Sequence, residues 1–181
     1  MNSQSNIELI IFPPVAPNEA PRSAEWSEIE RKLGIALPAD YKHFLERYGS
    51  GRIDEFISIF NPIASNKFLN LNHQIEEQLN VIRELKAEGS EVVPFNIFPA
   101  DGGILPFGKT DNGDVLFWVT VGQPDTWSVA VNASRSPEWE VFSCGMVEFL
   151  SNVLRKHESC PIFPYDFPSD TPSFVPYHQT I

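Results

Sequence analysis

Asn112-Gly113 stands between two strand-length apolar runs, Ile104-Leu105-Pro106-Phe107 and Val115-Leu116-Phe117-Trp118-Val119-Thr120-Val121. Both turn positions tolerate φ > 0, so the dipeptide predicts a type I′ hairpin with the two runs as antiparallel neighbours. The second run is apolar on nearly both faces. Such a strand belongs inside a sheet, with a covering layer on each side. The remaining segments have to supply both more strands and those layers.

They do so in a recognisable order. Phe56-Ile57-Ser58-Ile59-Phe60 reads as a short strand stopped by Asn61-Pro62. Gln123-Pro124-Asp125 turns the chain into Trp127-Ser128-Val129-Ala130-Val131, whose alternation buries one face, and Trp139-Glu140-Val141-Phe142 follows as a further strand. A first helix is predicted over Ala24 to Leu33, capped by Ser23 and stopped by Gly34, with Trp26, Ile29 and Leu33 on one face. A second opens with Pro38 at its first helical position and carries Tyr41, Phe44, Leu45 and Tyr48 at helical spacing before Gly49. A third runs from about Gln74 to Glu88, turning Ile75, Leu79, Ile82 and Leu85 inward, and a last from about Met146 to Lys156 buries Met146, Phe149, Leu150, Val153 and Leu154. The expectation is an α+β fold: N-terminal helices, a mainly antiparallel twisted sheet of four to six strands, and a closing C-terminal helix.

Proline confines this regular structure to the middle. Nine of the sixteen prolines lie at the ends, from Pro13 to Pro21 and from Pro161 to Pro176, where the missing donor and fixed φ disfavour long helices and central strands. The organisation expected is an extended segment over 1–22, one domain over 23–157, and a proline-rich tail over 158–181. Phe163, Tyr165, Phe167, Phe174 and Tyr177 predict that this extended tail packs on the domain.

Composition narrows the partners. The 181 residues are 42% hydrophobic and 12% aromatic, which excludes global disorder. Thirteen Lys and Arg against 24 Asp and Glu leave a formal charge of −11. That surplus repels nucleic-acid phosphates, whose binding relies on cations displacing counterions, and attracts a basic protein. No secretory leader and no bilayer-spanning apolar stretch is visible, so a cytoplasmic location without membrane association is expected. Cys144 and Cys160 leave two readings: one bridge in an oxidising compartment, or, as expected here, two reduced thiols.

The ordered segments resemble the SUKH superfamily, the Smi/Knr-type group named after fungal cell-wall regulators. The resemblance rests on Trp26-Ser27-Glu28-Ile29-Glu30-Arg31-Lys32-Leu33-Gly34-Ile35-Ala36-Leu37-Pro38-Ala39-Asp40-Tyr41, then Phe44-Leu45 and Tyr48-Gly49-Ser50-Gly51. A second block, Gly103 to Asp114, is similar to the family's loop and hairpin before the inner strand, and Val147-Glu148-Phe149-Leu150 resembles its last helix. The match spans roughly 22–157; Gly49-Ser50-Gly51 departs from the commoner Asn-Gly-Gly. The resemblance implies no catalytic residue. It implies an immunity protein that neutralises a toxin, in some cases a nuclease, or an intracellular regulator working through protein contacts.

Individual residues agree with an absence of chemistry. An EF-hand loop counted back from Gly113 would place its first ligand on Gly108, which has no side chain. Ser128, Ser143 and Cys144 lack a nucleophile elbow, while His43, His73, His157 and His178 are scattered without ligand spacing and read as surface histidines. No catalytic, cofactor-binding or metal-binding residue is therefore assigned, and no cofactor is expected. For a partner face the candidates are Asp101, Asp111, Asp114 and Asp125 in the loops beside the sheet, with Trp127, Arg135 and Trp139 as anchors. The competing reading makes the aspartates turn caps and the tryptophans core. The expected partner is a cognate toxin domain or a self protein, and the chain itself a monomer or weak dimer.

Overall fold

A computed structural model describes residues 7–89 and 92–177; His178 lies outside them. Among the described residues there are four α-helices of a turn or more: α1 (Trp26–Leu33), α2 (Ala39–Tyr48), α3 (Leu71–Glu88) and α4 (Met146–Leu154). Their ends differ from the sequence expectation for local reasons. Ser23 sits inside a 3₁₀ turn, Ser23–Glu25, that leads into α1, rather than capping a helix. Pro38, with ψ of 140°, is the N-cap of α2 and not its first helical residue. The helix α3 starts at Leu71 because the Asn70 side chain accepts the His73 N–H at 3.3 Å. And α4 stops at Leu154, since Lys156 turns to a φ of 59°.

Eight strands form one mixed but predominantly antiparallel sheet: β1 (Gly51–Ile53), β2 (Ile57–Ile59), β3 (Asn96–Ile97), β4 (Gly103–Thr110), β5 (Val115–Val119), β6 (Ser128–Asn132), β7 (Trp139–Phe142) and β8 (Phe174–Pro176). The order is β7-β6-β5-β4-β2-β1-β8, with β3 pairing parallel to β4. The count exceeds four to six because β1, β3 and β8 are too short to show alternation in sequence. As expected, β5 is an inner strand, and Leu116, Phe117 and Trp118 are all essentially inaccessible.

The two faces of the sheet are covered differently. Leu105, Phe107, Leu116, Trp118, Val129, Val131 and Phe142 pack with residues of α1, α2 and α4 in the main core. Tyr41 explains the Leu-Pro-x-x-Tyr helix start: its ring meets Trp118 edge-on at 5.0 Å while its hydroxyl donates to the Phe60 carbonyl at 2.6 Å. On the opposite face, Ile104 and Phe117 pack against Leu79 and Ile82 of α3, and Trp139 meets Phe95 edge-on and Phe117 at a tilt. The register aligns Val175, Arg52, Ser58, Lys109, Val115, Asn132 and Trp139 as cross-strand partners, so one row of side chains runs along this face. Val115 and Trp139 join the α3 cluster; Arg52, Lys109 and Val175 remain partly exposed.

C-terminal residues lie against this body. Phe163 and Phe167 meet Phe56 at 5.5 and 4.7 Å, and β8 pairs with β1. Asp54 accepts both the backbone N–H and the hydroxyl of Ser169 at 2.7 Å.

The Asn112-Gly113 hairpin forms, but not as type I′. Thr110 N–H donates to the Asp114 carbonyl at 2.9 Å and Gly113 N–H to the Thr110 carbonyl at 3.0 Å. Gly113 has a φ of 91° whereas Asn112 is not left-handed. This is a three-residue loop, Asp111-Asn112-Gly113, closed by a bulge. The Asp114 side chain favours it by holding Thr110 from the far side of the loop.

Candidate protein-interaction site

The seven candidate residues occupy two ends of the sheet. Asp101 precedes β4 and Asp111 follows it; eight strand residues at about 3.3 Å each place them roughly 25 Å apart. Asp125 lies at the Asp101 end, in the 3₁₀ turn before β6, while Asp114 and Arg135 lie at the Asp111 end.

At the first end the side chains are occupied with the fold. Asp125 accepts the N–H of Ala39, the first residue of α2, at 2.7 Å. Asp40, one residue on, accepts the N–H of Tyr41 at 2.7 Å and that of Val147 in α4 at 3.0 Å. Two carboxylates thus serve two helix N-termini, where unsatisfied amides and the dipole favour negative charge. Burial raises the Asp40 pKa above the ordinary aspartate value, against its hydrogen bonds, and the neighbouring Asp125 adds to the rise. Trp127 is 6% exposed, packs 5.8 Å from Trp118, and donates its indole N–H to the Gly122 carbonyl. Asp101 is exposed, and its backbone carbonyl accepts from Asn96 at 3.0 Å.

The hairpin end is built around Asp114. This carboxylate is buried; one oxygen accepts the Thr110 hydroxyl at 2.7 Å and the other the Ser134 N–H at 3.0 Å. The Ser134 hydroxyl donates to the Asn112 carbonyl at 2.8 Å, so the β4–β5 and β6–β7 loops are tied together. Asp111 stays half-exposed; its N–H donates to the Phe56 carbonyl at 2.9 Å and its carboxylate pairs with Arg52. Between the tied loops lies a shallow cavity of about 270 Å³ bordered by Asn112, Asp114, Arg135, Glu138 and Ile162. Arg135 is exposed at its margin and makes no hydrogen bond or ion pair with the described residues. Trp139, at the same end, is committed to Phe95 and Phe117 at 5.1 and 5.5 Å.

The structure therefore brings together Asp111, Asp114 and Arg135 and leaves Asp101 and Asp125 apart from them. Sequence reasoning missed Ser134 and Arg52 as the partners of Asp114 and Asp111, and Asp40 as the link between two helices. Nothing local marks a pair 20 or 59 positions apart. Among the described residues no three His, Cys, Asp or Glu side chains are placed to hold a metal ion, and no helix is long and apolar enough to cross a membrane.

These features define a mixed α+β domain whose loops, fixed on a single sheet, present an exposed arginine beside a polar cavity. The chain belongs to the SUKH family: the family described as SMI1-KNR4 cell-wall (SUKH_6) matches residues 23–150. It is also similar to the SPbeta prophage-derived uncharacterized protein YokK of Bacillus subtilis (strain 168), at 24% identity over 127 residues. That alignment covers 59% of this chain and 64% of the relative, just under two thirds of its length. No solved structure matches the chain.

Proposed function

We propose that this chain is a non-catalytic immunity protein that binds a basic bacterial toxin domain and covers its active site. The observation that carries the reading is the family match over residues 23–150. The net charge of −11 supports a basic partner, and the prophage-derived relative is in keeping with a mobile toxin-defence setting. In this reading the protein acts in the cytoplasm as a monomer or weak dimer, with 23–157 as the binding domain and 1–22 and 158–181 as its flanking segments. Arg135 reaches the partner, with Asn112 and Glu138 beside it, while Asp111 and Asp114 hold the loops in shape.

Co-expression with candidate toxin domains encoded by genes neighbouring its own tests this. Growth rescue and a stable complex on gel filtration are expected. Arg135→Ala should weaken the complex by about 30-fold, the scale of an interfacial hot spot. Absence of both rescue and complex would overturn the immunity reading. The cell-wall description of the family favours, as the second reading, a regulator or scaffold that binds a self protein.

A further inference from the structure

We propose that the part of the α3-side sheet face left open beside α3 is a docking surface for an acidic, extended segment of a partner protein, gripped by Lys67, Phe68 and Lys109. The proposal stands independently of the immunity reading, since it concerns a different face and the opposite charge.

The chain has six lysines. Lys32, Lys42 and Lys156 are ion-paired, and Lys86 donates to the Phe95 carbonyl. The two that remain converge on one ring: the ammonium groups of Lys67 and Lys109 lie 5.0 and 5.5 Å from the centre of Phe68. They are thus within about 10.5 Å of each other, comparable with the roughly 8 Å screening length of physiological salt. Neither is ion-paired among the described residues. In a chain of net charge −11, with carboxylates in surplus, that convergence needs a cause. The ring's negative face supplies part of one. It leaves both charges able to accept a carboxylate.

Surroundings define the occupant further. Phe68 is 52% exposed, on the loop that precedes α3. Lys109 comes from β4, and partial burial lowers its pKa, with Glu77 opposing the shift. Its ammonium is therefore short of solvent and gains more from an incoming anion than an ordinary surface lysine would. From Lys109 the row of cross-strand partners continues through buried Ser58 and through Arg52, which is held by Asp111, to Val175, 41% exposed at the sheet edge. Tyr177 closes the row with its hydroxyl 2.9 Å from that of Ser58. Three strand spacings separate β4 from β8, about 14 Å of surface. A small anion contacts only its cationic end. An extended segment with a carboxylate at one end and apolar side chains towards Val175 reaches both ends, crossing Tyr177 where Ser58 is buried.

The test is a titration of the ¹⁵N-labelled protein with a decapeptide alternating Glu and Leu, at low salt. Saturable shifts are expected at the amides of Ser58, Phe68, Lys109 and Val175, with affinity at least tenfold weaker in Lys67→Glu/Lys109→Glu. Lys67→Glu alone, at an exposed side chain, should weaken binding in the same direction and covers the case in which the double variant is unfolded. Three outcomes overturn the proposal: no saturable shifts, equal binding of a Gln–Leu decapeptide, or the same shifts from inorganic phosphate at equal affinity. The last would make the lysine pair a simple anion site.

Discussion

Replacing Asp114 by alanine should destabilise the protein by about 3 kcal/mol. Two hydrogen bonds reach this buried carboxylate, from the Thr110 hydroxyl at 2.7 Å and the Ser134 N–H at 3.0 Å. Hydrogen bonds to a charged group contribute about 1.5–3 kcal/mol each. The lower end applies, because the Thr110 hydroxyl can rotate towards another acceptor and because alanine removes a charge that was costly to bury. For a chain of this size that loss corresponds to a fall in Tm of roughly 6–12 °C. Urea unfolding followed by tryptophan fluorescence measures it. A cycle with Thr110→Val isolates the hydroxyl contact, with an expected coupling of about 1–2 kcal/mol. If Asp114→Ala costs less than about 1 kcal/mol, or if the two substitutions are additive, Asp114 is not the clasp between the loops. It would then return to being a candidate for partner contact.

Gly113→Val should cost about 1–3 kcal/mol, since a β-branched residue is strained at a φ of 91° and its Cβ would stand 3.3 Å from that of Ser134; unchanged unfolding would refute the bulged-loop assignment. Asp40 has a raised folded-state pKa, so it holds its proton more tightly when folded and favours folding increasingly as pH falls from its folded pKa towards the ordinary value of about 3.9. The stability of Asp40→Asn relative to wild type should accordingly decline as pH falls towards that ordinary value, and a pH-independent difference would count against the assigned shift. Burial pushes the Cys144 and Cys160 thiols up to about 12 and about 11, with nearby carboxylates adding to both. Both should alkylate slowly with iodoacetamide at pH 8 and readily in urea.

Part of this fold was legible because burial leaves a strong imprint. The strand β5 is covered on both faces, so its apolar run could hardly mean anything but an inner strand. Tyr41, Phe44, Leu45 and Tyr48 all point into one core and therefore keep helical spacing. By contrast, β3 has two residues and β8 three, too few for any period. The candidate site failed to group for a topological reason. Successive turns of an antiparallel meander fall at alternate ends of the sheet, so residues close in sequence, such as Asp114 and Asp125, part company across β5. Asp111 and Asp114 look equivalent in sequence, flanking Asn112-Gly113. Only the bulged loop makes one half-exposed and buries the other.

The net charge of −11 has to be read with those occupations in mind. A carboxylate that accepts a backbone amide, as those of Asp114 and Asp125 do, still belongs to the acidic surplus that, in the proposed function, draws in a basic partner. Both oxygens of Asp114 are spent, however, and cannot also bond that partner at close range without releasing the loops they hold, whereas exposed Asp125 has one oxygen bonded, to the Ala39 N–H. Long-range steering and short-range recognition are thus assigned to different residues: the first to the whole carboxylate population, the second to groups with donors or acceptors to spare. Arg135 and the pair Lys67 and Lys109 are such groups, and they sit at the hairpin end and on the open sheet face. Steering governs the rate of encounter and contacts govern the rate of escape. Salt should therefore slow association with a basic partner whichever exposed carboxylates are neutralised, whereas the residence time of that complex follows Arg135 and that of an acidic segment follows Lys67 and Lys109.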